Sequence, residues 1–237
     1  AAVVLIYSRE YARARGLWRG EYLVLILFAV VGMMTMIGAN HLVTLYVGLE
    51  LLALCLYSMI GMQRDSVRAA EAAMKYFVLG ALASGILLYG MSLLYGLTGS
   101  LSLAELASAS GELAPTNLPL LTAVVLIVAG LLFKLGVVPF HMWVPDVYDG
   151  SATSTTLFLS SVPKLAAFAI MLRLLAYGLG EWVSAWQDML AIAAVLSISV
   201  GNIVAIAQTS LKRMLGYSTI SHMGFLLLGF LGGTAHG

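Results

Sequence analysis

The stretch LLFKLGVVPF, at residues 131–140, places a lysine, a glycine and a proline inside an otherwise apolar run. Pro139 removes one helical hydrogen bond, and Gly136 loosens the turn between that proline and Lys134. A helix that is broken at membrane depth usually lines a polar cavity. The stretch therefore predicts a discontinuous helix between Lys134 and Pro139, with a buried ammonium group beside the break.

The composition of the whole chain is that of a membrane protein. Hydrophobic residues make up 61% of the 237 residues and charged residues 10%, whereas about a quarter of the residues in a soluble domain are charged. The net charge of +1 offers no patch for nucleic acid, and the single cysteine, Cys55, has no intramolecular partner. We therefore predict a protein that contacts the lipid bilayer and no nucleic acid.

Seven stretches come close to the roughly 20 apolar residues that a membrane crossing needs. They lack the period-two alternation of barrel strands, so they predict helices. The expected fold class is all-α, a polytopic transmembrane helix bundle that forms one domain over residues 1–237. Its predicted spans are 21–37, 41–61, 71–96, 118–140, 153–177, 189–208 and 214–231, with 1–7 as the end of an earlier span.

The two ends of the sequence predict a fragment. The chain has no initiator methionine, starts on an apolar stub and finishes on a glycine-rich stretch at residues 232–237. We therefore expect it to be cut at both ends, with further helices outside it.

The basic residues predict the orientation of the bundle. Eight of the twelve Lys and Arg residues lie in or beside alternate connections, and the opposite connections contain acidic residues but no Lys or Arg. By the positive-inside rule the basic connections are cytoplasmic, or face the matrix in a mitochondrion. We expect a multi-pass protein of the bacterial inner membrane whose cytoplasmic residues are Arg9, Arg13, Arg15, Arg19, Arg64, Arg68, Lys212 and Arg213.

Four ionisable residues inside predicted spans form the candidate proton-translocation site. A charge at the centre of a span costs roughly 2.5 to 3.5 kcal/mol on insertion. Glu50 lies at such a centre, too deep for a short carboxylate to reach the headgroups. Lys134 lies beside the predicted break, Lys164 directly follows Pro163, and His222 lies among hydroxyl residues in YSTISHMGF. A purely structural role for these residues, with His222 as a satisfied core histidine, is the alternative.

Other polar residues have simpler interpretations. Glu71 and Lys75 are spaced i,i+4, so they are either a possible accessory proton-transfer pair or a local salt bridge at the membrane entrance. Arg173, near the end of its span, is expected to extend to the interface. The spacing of the acidic residues and histidine in HMWVPDVYDG fits no metal site, and we predict a structured connecting loop there. The residues expected to anchor the bundle at the membrane interface are Trp18, Tyr22, Trp143, Tyr148, Trp182 and Trp186.

The buried charges suggest a mechanism. Desolvation disfavours a buried ammonium, and a nearby carboxylate restores it, so the ionisation of Lys134 should depend on the distance to Glu50. Moving one charge against the membrane potential costs about 2.3 kcal/mol per 100 mV. Breaking a buried ion pair can supply an energy of that order. Our hypothesis is that Lys134 gains a proton when it pairs with Glu50 and later passes it towards Lys164 and His222.

Four longer stretches of the sequence carry a family resemblance. They are YVGLELLALCLYSMIGMQRDS, AAMKYFVLGALASGILLYGMSLLYG, FKLGVVPFHMWVPDVYDGSATSTTLFLSSVPKLAAFAI and SLKRMLGYSTISHMGFLLLG. They closely resemble the subunit N family of proton-pumping NADH–quinone oxidoreductase, respiratory complex I, and the wider family is similar to subunits of multisubunit sodium/proton antiporters. The similarity extends across nearly all 237 residues, and HMWVPDVYDG favours the subunit N family over its sister subunits, in which this loop usually reads HTWLPD.

The resemblance implies a fold of two inverted five-helix repeats, each with a broken helix, of which this chain contains the first. It implies that Glu50 is the family's central-helix glutamate, Lys134 its broken-helix lysine, Lys164 its connecting lysine and His222 part of its horizontal polar axis. The second repeat, with its own broken helix and proton-exit lysine, is not in this chain.

The resemblance also implies that the chain works as one subunit of an NADH:quinone oxidoreductase. It implies no redox centre, cofactor or metal in this chain, because FMN and the iron–sulfur clusters belong to partner subunits. The implied partners are other complex I membrane subunits, especially antiporter-like neighbours, and the complex uses quinone.

Two rival functions remain open at this stage. A subunit of a multisubunit sodium/proton antiporter would respond to sodium in its assembled form. A passive structural membrane subunit would tolerate neutral residues in place of Glu50 and Lys134, whereas a pump would not.

Overall fold

Helices make up the regular structure of residues 1–109 and 117–232, which the computed structural model of the chain describes. A π-helical turn, Leu172–Gly178, continues the helix that ends at Met171, and a 3-10 turn, Gly180–Trp182, precedes the helix that begins at Val183. The helices are α1 (Ala2–Ala14), α2 (Gly20–Gly38), α3 (Leu42–Ile60), α4 (Val67–Thr98), α5 (Leu103–Ala109), α6 (Leu118–Leu135), α7 (Trp143–Gly150), α8 (Thr153–Met171), α9 (Val183–Ile206) and α10 (Leu211–Gly232). The all-α prediction is confirmed.

Within the described residues, seven helices are long and apolar enough to cross a membrane: α2, α3, α4, α6, α8 with its π-helical extension, α9 with its 3-10 turn, and α10. The span predicted at 189–208 begins earlier in the structure, because Val183 to Asp188 are already helical. The connection predicted at residues 99–117 contains α5, and its residues 110–116, which include Glu112, lie outside the described part.

Glycines bring pairs of helices into backbone contact. A Cβ atom added to Gly32 of α2 would lie 2.7 Å from the carbonyl oxygen of Gly48 in α3, and one added to Gly48 would lie 2.7 Å from that of Gly32. A Cβ atom added to Gly130 of α6 would lie 2.6 Å from the Cβ atom of Leu87 in α4. Because helices in lipid associate largely through close packing, these glycines permit the contacts that hold the bundle together. Gly85, in contrast, has open space around it.

Arg173 closes the end of the bundle opposite the basic connections. Its guanidinium donates hydrogen bonds to the carbonyl oxygen of Ile37 and the side-chain oxygen of Asn40. The Ile37 carbonyl belongs to the last turn of α2, where helical carbonyls have no partner of their own. The guanidinium therefore caps the end of α2 and holds the α2–α3 connection, while the expectation that Arg173 extends to the interface stays a prediction.

Most of the predicted interface anchors lie in the core. Trp143, Trp182, Trp186, Tyr22 and Tyr148 are each at most 1% exposed. The indole N–H groups of Trp143 and Trp186 have internal acceptors, since they donate to the carbonyl oxygens of Phe133 and Leu179, each at 3.1 Å. Position at the end of a span was thus a misleading signal, because these rings fill gaps between helices instead of facing lipid.

We predict that Gly32→Ala will destabilise the full-length protein. The new methyl group meets backbone atoms of α3 that cannot move alone, and overpacking of this kind typically costs about 1 to 3 kcal/mol. Thermal unfolding in detergent should show a lower midpoint. Gly38→Ala, in the same helix but with open space at its Cβ position, is the control, and equal midpoints for the two variants would contradict close α2–α3 packing.

Candidate functional site

The predicted break is present in the structure. Helix α6 ends at Leu135, and Gly136 adopts the left-handed conformation with φ of 71°, donating its N–H to the carbonyl oxygens of Leu132 and Phe133. The span predicted to reach residue 140 is therefore five residues too long, because the glycine turns the chain away at once. The chain resumes a helix at Trp143, so the connecting loop predicted in HMWVPDVYDG is wrong: most of it is helix α7.

Polar side chains from other helices complete the hydrogen bonds at the break. Lys164 of α8 donates from Nζ to the carbonyl oxygen of Leu135 at 2.5 Å. Trp143 donates from Nε1 to the carbonyl oxygen of Phe133 at 3.1 Å, and the N–H of Val138 donates to Ser197 Oγ of α9 at 2.9 Å. The Lys164 ammonium thus lies at the negative end of the α6 dipole, which favours a cation there.

Lys134 lies where α3, α4, α6 and α8 meet. Its Nζ donates to the buried Ser84 Oγ of α4 at 3.1 Å. Beside it is a cavity of about 30 Å³ whose lining includes Ala53 of α3, Tyr76 of α4 and Pro163 of α8. A cavity of this size has room for a water molecule. Lys134 is therefore held by one hydroxyl group and adjoins a space that can be hydrated.

Glu50 lies close to this cavity. Its charge acts on Lys134 and on the phenols of Tyr57 and Tyr76, and the lining residues Leu49 and Ala53 flank it in α3. Its Oε1 atom is buried without a hydrogen-bond partner in the described part of the chain. Among the described residues, the ion pairs do not include one between Glu50 and Lys134. The two groups are electrostatic neighbours that stop short of direct contact.

An aromatic chain connects the surroundings of Glu50 with Lys164. Tyr57 and Tyr76 meet edge to face with their centroids 4.9 Å apart, and Tyr76 stacks on Trp143 at 4.5 Å. The Lys164 ammonium lies 4.9 Å from the Trp143 ring centroid, within the range of a cation–π interaction. The site therefore holds Glu50, Lys134 and Lys164 around one broken helix.

His222 does not join this group in the structure. It lies on the exposed side of α10, a helix that packs mainly against α9 and α7. Lys164, in contrast, is 4% exposed.

A second cluster of charges ties three helices together at the basic end. Glu71 and Lys75 of α4 form the anticipated salt bridge at 2.8 Å. Lys75 also contacts Asp146 of α7 at 2.8 Å, and Asp146 contacts Arg213 of α10 at 2.6 Å. Asp146 is not among the site residues predicted from the sequence, although an acid between two spans on the basic side of the bundle was a signal for such a pairing.

The environment of Asp146 favours its ionised form. Burial alone would raise the pKa of this carboxyl group, but hydrogen bonds from Lys75 and Arg213 outweigh it and hold the pKa below its ordinary value. Asp146 is thus an anion that joins α7 to α4 and α10.

The fold and the site define an antiporter-like membrane protein. It is a helix bundle in which one helix is broken, a lysine beside the break lines a small cavity, and a second lysine caps the broken end. The chain belongs to the family described as "NADH:quinone oxidoreductase/Mrp antiporter, TM", whose profile matches residues 39–237.

Individual relatives agree with this assignment. The chain is 61% identical to NADH-quinone oxidoreductase subunit N of Thiobacillus denitrificans, over 100% of this chain and 49% of that protein. It is similar to a chain of respiratory complex I from Thermus thermophilus, with a TM-score of 0.78 and 41% identity over 92% of this chain and 46% of that one. A chain of the Mrp complex from a Dietzia species has the same TM-score with 25% identity, over 87% and 38% respectively. The chain spans about half the length of the curated relatives it matches.

We predict that Ser197→Ala will destabilise the break. The variant leaves the N–H of Val138 without an acceptor in the core, and an unsatisfied buried group costs about 1 to 3 kcal/mol. The midpoint of thermal unfolding of the full-length protein should fall. Ser199→Ala is the control, because Ser199 lies two residues away on the exposed face of α9 and donates to the carbonyl oxygen of Val195 in its own helix. A loss no larger than that of the control would refute this role for Ser197.

We also predict that Asp146→Asn will lower the unfolding midpoint by about 2 °C, since partly exposed ion pairs contribute modestly to stability. Because the pKa of Asp146 is lowered in the folded protein, its stabilising effect is present above the unfolded-state value of about 3.9 and is lost as the pH falls through the folded-state pKa. The midpoint difference between parent and variant should therefore stay constant from about pH 6 to 8. A difference that changes across this interval would be inconsistent with the lowered pKa.

Proposed function

We propose that this chain contains the first repeat of a proton-translocating membrane subunit of an NADH–quinone oxidoreductase, of the subunit N type. The subunit would couple quinone reduction, catalysed elsewhere in the complex, to proton movement through the bundle. One observation carries the proposal: Lys134, at the end of a broken helix, lines a small cavity and lies within the electrostatic influence of Glu50 without contacting it. Such an arrangement allows the distance between the Glu50 carboxylate and the Lys134 amine to change.

Proton loading begins with the pair formed by Glu50 of α3 and Lys134 of α6. When Glu50 approaches Lys134, the attraction between the two charges favours the ammonium form. The unpartnered Oε1 of Glu50 supports this step, because a buried carboxylate oxygen without a donor is costly and gains most from a cationic partner. In the structure Lys134 donates to Ser84 instead, an arrangement that fits the separated state.

Release of the proton follows when the pair separates. The ammonium then has only a neutral hydroxyl partner in a desolvated setting, so it passes a proton to a water molecule in the adjoining cavity. Lys164 is the next acceptor in our proposal, since it caps the helix that carries Lys134. A change in its charge would alter how firmly the end of α6 is held. His222 would receive the proton later, by way of water molecules and hydroxyl groups.

The remaining functional assignments are part of the same proposal. The subunit would lie in the bacterial inner membrane, with Arg9, Arg64 and Lys212 on the cytoplasmic side. Its partners would be the other membrane subunits of the complex, above all antiporter-like neighbours. FMN and the iron–sulfur clusters would be held by partner subunits, and the Glu71–Lys75 pair would assist proton entry.

A subunit of a multisubunit sodium/proton antiporter is the less supported alternative. The fold does not separate the two, because the TM-score is 0.78 against both the complex I chain and the Mrp chain. The sequence separates them, because this chain is 41% identical to the complex I chain and 25% identical to the Mrp chain. The 61% identity to a subunit N adds to the preference for complex I.

We predict that Lys134→Ala will reduce NADH-driven proton pumping at least about tenfold, because the variant lacks the amine whose charge is proposed to change. Pumping should be measured in membrane vesicles as acidification per NADH oxidised. Lys134→Arg should pump as poorly, since a guanidinium keeps its charge and cannot release a proton. Normal pumping by the alanine variant would rule out the mechanism, and normal pumping by the arginine variant would show that charge alone suffices.

A further inference from the structure

A second, larger cavity lies at the basic end of the bundle. It has a volume of about 770 Å³ and lies between the turn that joins α1 to α2 and the connection from α3 to α4. The proposed proton path does not use it. The charged groups in its lining are Arg15, Arg19, Arg64, Glu21 and Asp65.

The arginines make this cavity suitable for an anion. Three arginines and two acidic residues line one space, so the lining has a net positive charge. Arg19 uses Nε to hold the carbonyl oxygen of Gly16 at 3.0 Å, and a guanidinium has further donors in a fork that matches phosphate geometry. Arg15 lies 5.4 Å from the ring centroid of Tyr11, which orients it. The cavity therefore combines oriented donors with positive charge.

The position of the cavity corresponds to the headgroup layer. Helix α2 begins at Gly20 and α3 ends at Ile60, and both are candidate membrane spans. The turn before α2 and the connection after α3 therefore lie where a span leaves the hydrocarbon. Basic pockets between helices at this depth favour phospholipid headgroups.

An apolar stripe leads from the cavity along α2. Val24, Leu27, Phe28 and Val31 are 49% to 62% exposed, and their i, i+3, i+4, i+7 spacing places them on one face of the helix. Glu21, in the cavity wall, is one turn before Val24. A ligand with a phosphate in the cavity could thus lay hydrocarbon along this face.

We propose that the cavity binds the headgroup of an anionic glycerophospholipid, with the acyl chains packed on the α2 stripe. The arginines would bind the phosphate, and the stripe would distinguish a lipid from a free anion. This site is independent of the proton path, so it stands or falls separately from the proposed function.

The test compares two double variants of the full-length protein, purified in detergent. Arg19→Gln with Arg64→Gln removes two cavity cations. Arg9→Gln with Arg13→Gln removes two cations from the same side of the bundle, outside the cavity lining, and is the matched control. Phosphatidylglycerol, phosphatidylcholine of the same chain length and inorganic phosphate are added separately. Retained lipid is counted by native mass spectrometry, and the unfolding midpoint is recorded with each addition.

We expect phosphatidylglycerol to bind the parent and the control alike, and to bind the cavity variant roughly tenfold or more weakly. The lipid-induced rise in midpoint should fall accordingly in that variant. Equal binding to all three proteins would overturn the site. An equal effect of phosphatidylcholine, or of inorganic phosphate, would overturn its assignment to an anionic lipid. If the cavity variant is unstable without lipid, Arg64→Gln and Arg9→Gln provide the same comparison with single substitutions.

Discussion

The constraint on which the site depends is the interruption of α6 inside an apolar bundle. A helix that ends there leaves carbonyl and N–H groups that water cannot reach, and each needs a partner from the protein. Lys164, Trp143 and Ser197 supply these partners from α8, α7 and α9. The positions of these helices are therefore linked to the break, and so is the position of Lys134 one residue before the end of α6.

In this arrangement the buried Lys164 has two effects. The Lys164 ammonium satisfies the end of α6 and also carries a charge that the bilayer would otherwise disfavour. In the proposed function, a change in its protonation is felt by the backbone that carries Lys134. Structural support and proton transfer then share the same atoms, so a structural role for Lys164 does not argue against transport.

The two ends of the bundle are secured by different charges. At the basic end Asp146 joins α4, α7 and α10 through Lys75 and Arg213. At the opposite end Arg173 binds the last turn of α2. None of these contacts involves Lys134, and among the described residues no ion pair includes Lys134 or Glu50. Within the described residues a small cavity and an unpartnered carboxylate oxygen remain at the centre of the bundle, and the proposed function uses both for a Glu50–Lys134 pair that can move.

The sequence by itself determined the class of fold and the break near Lys134, and it singled out three candidate residues that lie around that break, because long apolar runs, a Gly–Pro interruption and charges at span centres each carry a direct energetic meaning in lipid. Only the tertiary structure decided which groups meet. It joined Asp146 to Lys75 across 71 positions of the chain, buried tryptophans that the sequence had assigned to the interface and left His222 on an exposed face. Hydropathy describes how far each residue lies from water along its own helix, whereas partners depend on how neighbouring helices are rotated and packed, and no local pattern encodes that rotation.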